Sequence, residues 1–182
     1  MRIALELVRQ ITARTVRIRE LEAELATLVE SYAPQLLAER GCGPLAAAKL
    51  IGEIAGADRF AIDSKLARTG GAAPIPASSG KTNRHRLDPG GNRQLNCALH
   101  RLAVNKGTWD PDAAAYLARK QAEGKSRKEA LRCLKRFLAV ASGQLLRAPS
   151  PSQDPRSNND TNINNTPAPI IGNAPYLMPC TR

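Results

Sequence analysis

The chain is 182 residues long, with 27 Lys+Arg against 16 Asp+Glu, a formal net charge of +11 and a sequence pI of about 10.1. That length suits one compact domain, or one domain with an appendage. Aromatic residues make up only 3% of it, few for a surface that stacks bases, so the basic excess points to backbone-phosphate binding rather than to a single-strand stacking platform. There is no apolar run of about eighteen residues and no leader-like charged and apolar N-terminus, so a soluble, cytoplasmic protein without membrane contact is expected. Cys42, Cys97, Cys133 and Cys180 are far apart, and with only two histidines no zinc-site spacing occurs; free thiols and no bound metal are expected.

The first apolar pattern is Leu7, Ile11, Ile18, Leu21, Leu25, Leu28 and Tyr32, spaced 4, 7, 3, 4, 3 and 4, a heptad broken only where Arg14 takes an apolar slot. It predicts one long helix with a coiled-coil seam. Charge along it passes from Arg-rich (Arg9, Arg14, Arg17, Arg19) to Glu-rich (Glu20, Glu22, Glu24, Glu30), which would match an antiparallel partner. Self-association and packing against the rest of the same chain are both compatible with this pattern.

Pro34 and the turn Gly41-Cys42-Gly43-Pro44 end that helix, and Pro44 opens a small Ala-rich helix carrying Leu50, Ile51 and Ile54. A Gly-x-Gly-Pro turn at a helix N-terminus presents free N–H groups to a phosphate, as in half of a helix-hairpin-helix; an ordinary glycine turn has the same sequence. A short helix over residues 64–69, capped by Asp63 or Ser64, should follow. Residues 70–91, rich in Gly and Pro, read as irregular. Asn92 is a good N-cap for a helix to about Lys106 with Leu95, Leu99, Leu102 and Ala103 inward. Asp110-Pro111 opens the next helix, to about Ala122, and Gly124 closes it. Ser126-x-x-Glu129 is a capping box for a helix to about Leu146, with Ala130, Leu131, Leu134, Leu138, Ala141 and Leu145 on one face and the basic residues mostly off it. The fold class is therefore mainly α, in three parts: a coiled-coil helix over residues 1–40, a helical domain over 41–147, and a Pro/Asn-rich tail over 148–182 with no periodicity, expected to be disordered.

The charge is uneven along this plan. Residues 1–40 are neutral, 41–80 carry +1, 81–106 carry +5, 119–136 carry +6 and the tail is neutral. A run of charge is commonly a solvated face, but residues 81–106 contain only Asp88 to offset six cations, which suits a polyanion site.

The densest candidate chemistry is Pro74-Ile75-Pro76-Ala77-Ser78-Ser79-Gly80-Lys81-Thr82-Asn83-Arg84-His85-Arg86. Gly80-Lys81-Thr82 is not a Walker A loop, because the position five before Gly80 is Ile75 rather than glycine. Two hydroxyls beside several cations could supply a nucleophile whose attack on a phosphodiester the guanidinium groups would stabilise; serines that merely form a turn are the alternative.

Two stretches carry a family resemblance: GCGPLAAAKLIGEIAGADRF at residues 41–60 and APIPASSGKTNRHRLDPGGNRQLNCALHRLA at 73–103. With Asp110-Pro111, Tyr116, Gly124-Lys125-Ser126 and Leu134-Lys135-Arg136-Phe137, they resemble the C-terminal domain of the IS110/IS116/IS902 insertion-sequence transposases. The resemblance implies a DNA recombinase in which this domain's serine attacks DNA. On this chain that serine is Ser79, with Ser78 as the competing choice, and Lys81, Arg84, Arg86 and Arg93, with Gly41 and Gly43, would contact DNA; His85 is a weaker candidate for moving a proton. It also implies partners: DNA at element ends and targets, a structured guide RNA, and a second copy or a full-length transposase. In the family an acidic RuvC-like domain holds divalent metal, and Mg2+ is implied for that domain only. No acidic group here matches it, so a truncated copy, incomplete as a stand-alone enzyme, is the expectation. A non-catalytic nucleic-acid-binding and dimerisation module, or an inert remnant, are the competing readings.

Overall fold

The computed structural model describes residues 1–77, 85, 86 and 88–148, and among these the fold is mainly helical. The tail expected from residue 148 lies, apart from Ala148, outside the described residues. Helix α1 runs Arg2–Tyr32, five residues earlier than the heptad alone suggested. No Gly or Pro interrupts it, and it stops where Ala33, preceding Pro34, is driven out of helical geometry (φ −149°, ψ 65°). Only Val29 of α1 is buried, with Leu25 and Ala26 half-buried. The helix is thus anchored by its last two turns, and the remainder of its ~46 Å stands in solvent.

The one-turn helix α2 (Pro34–Leu37) buries Leu36, and Gly41, at φ +81°, turns the chain toward α3 (Pro44–Ile54). Gly43 is the N-cap of α3 and Pro44 its first residue, so the missing proline N–H costs nothing there. Ala47, Leu50 and Ile54 form its buried stripe against α5 and α1. Two consecutive left-handed residues, Ala55 (φ 48°) and Gly56 (φ 92°), close the helix. A 3-10 turn (Ala57–Arg59) leads to α4 (Asp63–Thr69).

The centre of the fold is α5 (Arg93–Trp109), whose Leu95, Leu99, Leu102 and Ala103 are buried as their spacing predicts, together with Ala98. Around it pack α3, α6 (Pro111–Ala122) and α7 (Arg127–Arg147). The capping box holds as expected: Ser126 Oγ accepts from Glu129 N at 3.4 Å while Glu129 Oε2 accepts from Ser126 N at 2.8 Å. On α7, Ala130, Leu134, Leu138 and Ala141 are buried, and Gly143 lets Leu66 of α4 lie directly on the helix backbone. Arg147 then ties the end of α7 to the 57–63 turn, donating to Asp63 Oδ1 at 2.6 Å and to the carbonyl of Ala57 at 3.3 Å.

Four expectations need correction. Asp63 is the first residue of α4 and not its cap; Ile62 occupies the cap position, and the Asp63 carboxylate is taken by Arg147 and by Gln144 at 3.0 Å. Residues 70–91 are not wholly irregular: β1 (Ile75–Pro76) and β2 (His85–Arg86) pair antiparallel, Ile75 opposite Arg86 and Pro76 opposite His85. Helix α5 continues one turn beyond Lys106. Finally, Lys106 and Lys135 are buried.

Lys106 is 2% exposed and donates from Nζ to Glu39 Oε2 at 2.8 Å and to Asp110 Oδ2 at 3.3 Å. The other oxygen of Asp110 caps α6 through Asp112 N at 3.1 Å. Gly41 presses on the same turn: a Cβ there would stand 3.2 Å from Lys106 N. Burial, reinforced by the Glu39 carboxylate and opposed by the Lys106 ammonium, pushes the neighbouring Cys42 thiol up to about 11.

Replacing Lys106 with Met should lower the unfolding free energy by about 3 kcal/mol or more, because two carboxylates are left without their cation in the interior; denaturant titration at neutral pH measures it. Ala55→Gly should move stability the other way by up to about 1 kcal/mol, since glycine removes the left-handed penalty of an exposed residue; an unchanged denaturation midpoint would show that the penalty is absent.

Candidate nucleic-acid interface

The N-terminus of α5 is built by contacts that reach three segments. The Asn92 side chain caps it, with Oδ1 accepting from Gln94 N at 2.8 Å and Leu95 N at 3.1 Å, as its residue type predicts. Its Nδ2 donates to Glu53 Oε2 of α3 at 2.8 Å, and its backbone N–H donates to the Thr69 carbonyl at 2.6 Å. Just before it, Gly91 lies against the Gly70-Gly71 turn so closely that a Cβ would fall 2.7 Å from Gly71 Cα. The glycine pair is therefore a packing requirement, a close approach of two backbones.

The β1–β2 pairing places residues 76 and 85 side by side, so the ends of the intervening segment are held together. Ser78, Ser79, Lys81 and Arg84 belong to that segment and lie outside the described residues. Arg86 and His85 are exposed on β2, and Arg93 is exposed on the first turn of α5.

One part-buried contact joins the two basic stretches of the sequence. Lys135 Nζ of α7 donates to Asn96 Oδ1 of α5 at 2.6 Å, while Asn96 Nδ2 donates to the Gly70 carbonyl at 2.7 Å. Burial lowers the Lys135 pKa from its usual value, and the Arg132 charge adds to that shift. Arg93 stands one turn before Asn96, and Arg132 one turn before Lys135, so exposed guanidinium groups from both stretches flank this contact. Arg93, Arg101, Arg127, Lys128, Arg132 and Arg136 are all exposed and have no ion-pair partner among the described residues.

Other cations of the two stretches are removed from this face. Lys106 is consumed by its carboxylate pair. Lys120, nearly buried, donates to both oxygens of Glu123 at 2.9 and 3.0 Å, and Lys125 bonds the same carboxylate at 3.0 Å. Those hydrogen bonds hold the Glu123 carboxyl below its ordinary value. The net charge by segment thus overstates what either helix offers to solvent, and the free cations are mostly arginine.

Near the α5 N-terminus an open cleft of about 570 Å³ is lined by Phe60, Lys65, Arg68, Asp88, Gly90 and Asn92. Lys65 and Arg68 were not singled out from the sequence, since residues 41–80 carry a net charge of only +1; their spacing of three on α4 was the available signal. The two glycines of the 41–44 turn have different surroundings. Gly41 is occupied with α5, while Gly43 faces open space at the start of α3. Among the described residues no three His, Cys, Asp or Glu side chains come together to hold a metal ion, and no helix is long and apolar enough to cross a membrane.

Residues 33–118, from the end of α1 into α6, match the transposase family IS116/IS110/IS902. A relative described as an insertion element IS110 uncharacterized 43.6 kDa protein, from Streptomyces coelicolor, is 34% identical over 124 residues. That match covers 66% of this chain and 31% of the relative, so the chain spans about a third of the length of the relative it resembles. The matched span holds the α5 N-terminus, the β1–β2 pair and the buried Lys106 cluster, and residues 33–118 belong to the IS116/IS110/IS902 transposase family.

Proposed function

We propose that this chain is a DNA-binding part of an insertion-sequence transposase, and that it acts in serine-dependent strand cleavage and transfer. The observation that carries the binding half is the α5–α7 junction, where the Lys135–Asn96 contact joins two helices whose exposed arginines have no ion-pair partner among the described residues. Arginine suits this role because its charge is permanent and its fork of donors fits a phosphate. Arg86, Arg93, Arg101 and Arg132 would track the DNA backbone, with Lys81 and Arg84 closer to the scissile phosphate and Gly43 offering the bare N-terminus of α3.

For the chemical half, the family supports a serine nucleophile. The Ser79 oxygen, or that of Ser78, attacks phosphorus; the bond from phosphorus to the leaving nucleoside oxygen breaks, and the serine proton ends on that oxygen. The product is a phosphoserine ester that a DNA hydroxyl later displaces. The flanking cations offset the charge that builds on the phosphoryl oxygens. Metal-dependent steps would fall to the acidic domain that the family resemblance implies. A structured RNA would guide the choice of DNA, and the chain would work in the cytoplasm as an oligomer, with itself or with a longer relative.

Duplex DNA binding should weaken steeply with salt, and replacing Arg93 and Arg132 together with Ala should reduce the slope of log K against log [salt] by about two units. Arg19→Ala, on α1, should leave that slope unchanged; a wild-type slope near zero removes phosphate-driven binding. Incubated with element-end DNA, guide RNA and a full-length relative, the chain should yield a covalent DNA adduct that Ser79→Ala abolishes. Equal adduct with Ser79→Ala and loss with Ser78→Ala would move the nucleophile by one residue, and adduct from neither protein would leave a binding module.

A further inference from the structure

Helix α1 carries more apolar surface than its own domain can cover. Leu7, Ile11, Ile18, Leu21 and Leu28 are 54, 64, 55, 42 and 64% exposed, and they lie on one seam of the heptad. The domain holds the helix by Val29 and Ala26, off the seam, and covers only half of Leu25 on it, so the rest of the seam faces outward. A stripe of this length needs a cover, and its charges identify one.

We propose that α1 pairs with α1 of a second copy in antiparallel orientation, with Ile11 opposite Leu28, Arg14 opposite Leu25 and Ile18 opposite Leu21. This inference rests on the self-association proposed above and adds its direction and register. Three facts select it. The helix is Arg-rich in its first half and Glu-rich in its second, so antiparallel copies bring opposite charges together. Arg14 occupies a seam position, and a parallel in-register pair would stack it on Arg14 of the second copy, two like charges in an apolar layer. In the antiparallel register Arg14 instead lays its stem on Leu25 and extends its head toward Glu24 of the second copy.

The seam-flanking residues then choose among antiparallel registers. With Ile18 opposite Leu21, Arg17 faces Glu24 of the second copy, and the two-fold axis repeats the pair. Within one copy Arg17 already reaches Glu20 at 3.0 Å and Glu24 at 4.0 Å, so both partners hold their charged ends on this edge. Slipping one heptad, so that Ile18 meets Arg14, sets Arg17 against Arg17. The favoured register also has the longest overlap, from Leu7 to Tyr32, and so covers the most apolar surface.

The test uses the full chain with Cys97, Cys133 and Cys180 replaced by Ser. Sedimentation at tens of micromolar should show a dimer; a monomer would overturn the self-association and the inference with it. Gln10→Cys chains mixed with Ser31→Cys chains should form a disulfide between the two variants, because these positions are neighbours in the antiparallel pair. Gln10→Cys alone should stay uncrosslinked, its two copies lying ~30 Å apart. A dimer that links Gln10→Cys to itself would overturn the orientation while leaving self-association standing. For the register, Arg17→Glu and Glu24→Arg should each weaken dimerisation about tenfold, and mixing the two variants should restore it as a heterodimer. Failure to restore would overturn the register, and a dimer formed only with a longer relative would overturn the second copy as occupant.

Discussion

The ammonium of Lys106 is the point on which the helical domain closes. It is a full charge in the interior, and such a charge is tolerable only because Glu39 and Asp110 approach it from two different segments. Glu39 brings the turn that follows α2, while Asp110 brings the junction of α5 and α6 and uses its second oxygen to start α6. Two changes of chain direction are thereby fixed to one nitrogen. Gly41 belongs to the same arrangement, since only a residue without a side chain lets the 39–43 turn come down on the α5 backbone. A Leu at position 106 would fill the space, but it would not choose these partners; the charges specify which turn meets which helix end.

The same economy explains how a chain of net charge +11 can fold compactly and still present a basic face. Its lysines at 106, 120, 125 and 135 are spent on internal bonds to Glu39, Asp110, Glu123 and Asn96. The arginines of α5 and α7, apart from Arg147, are left facing water. Because Asn96 links Lys135 to the Gly70 carbonyl, the contact that joins the two basic helices also joins them to the turn that receives Gly91. The electrostatic surface and the mechanical frame of the serine-bearing segment are thus parts of one structure. Pairing most of the lysines of these helices internally lets the domain pack while most of their arginines stay exposed.

Much of the fold could be read from local chemistry. Asn92, Asp110 and the Ser126–Glu129 box start helices because their side chains satisfy N–H groups a few residues away, and that information is entirely local. The inward face of α5 was equally plain from its spacing. What escaped were features set by distant partners. Lys106 and Lys135 look like surface residues until a carboxylate 67 positions away, or an amide 39 away, is brought to them. Asp63 has the residue type of a cap, yet Arg147, 84 positions on, takes its carboxylate. The β1–β2 pair is two residues per strand, too short for any alternation, and one of them is proline. Of the candidate site, the basic helices and the family of the glycine-flanked segment were legible, but Lys65 and Arg68 were hidden in a nearly neutral stretch. Gly41 stood out in the sequence as a turn glycine open to phosphate, and Gly91 did not stand out within its irregular stretch; in both the reason for glycine is backbone meeting backbone.

The Gly91 contact is part of a frame on either side of residues 78–84. Gly91 on Gly71 requires glycine, whereas the Asn92 N–H on the Thr69 carbonyl and the pairing of residues 75–76 with 85–86 depend on main chain rather than on side-chain identity. The frame is thus independent of the side chains between its ends. Substitutions between those ends would leave the backbone contacts of the frame as they are. The demands of folding fall on the frame, and the residues between its ends are free to answer to other demands.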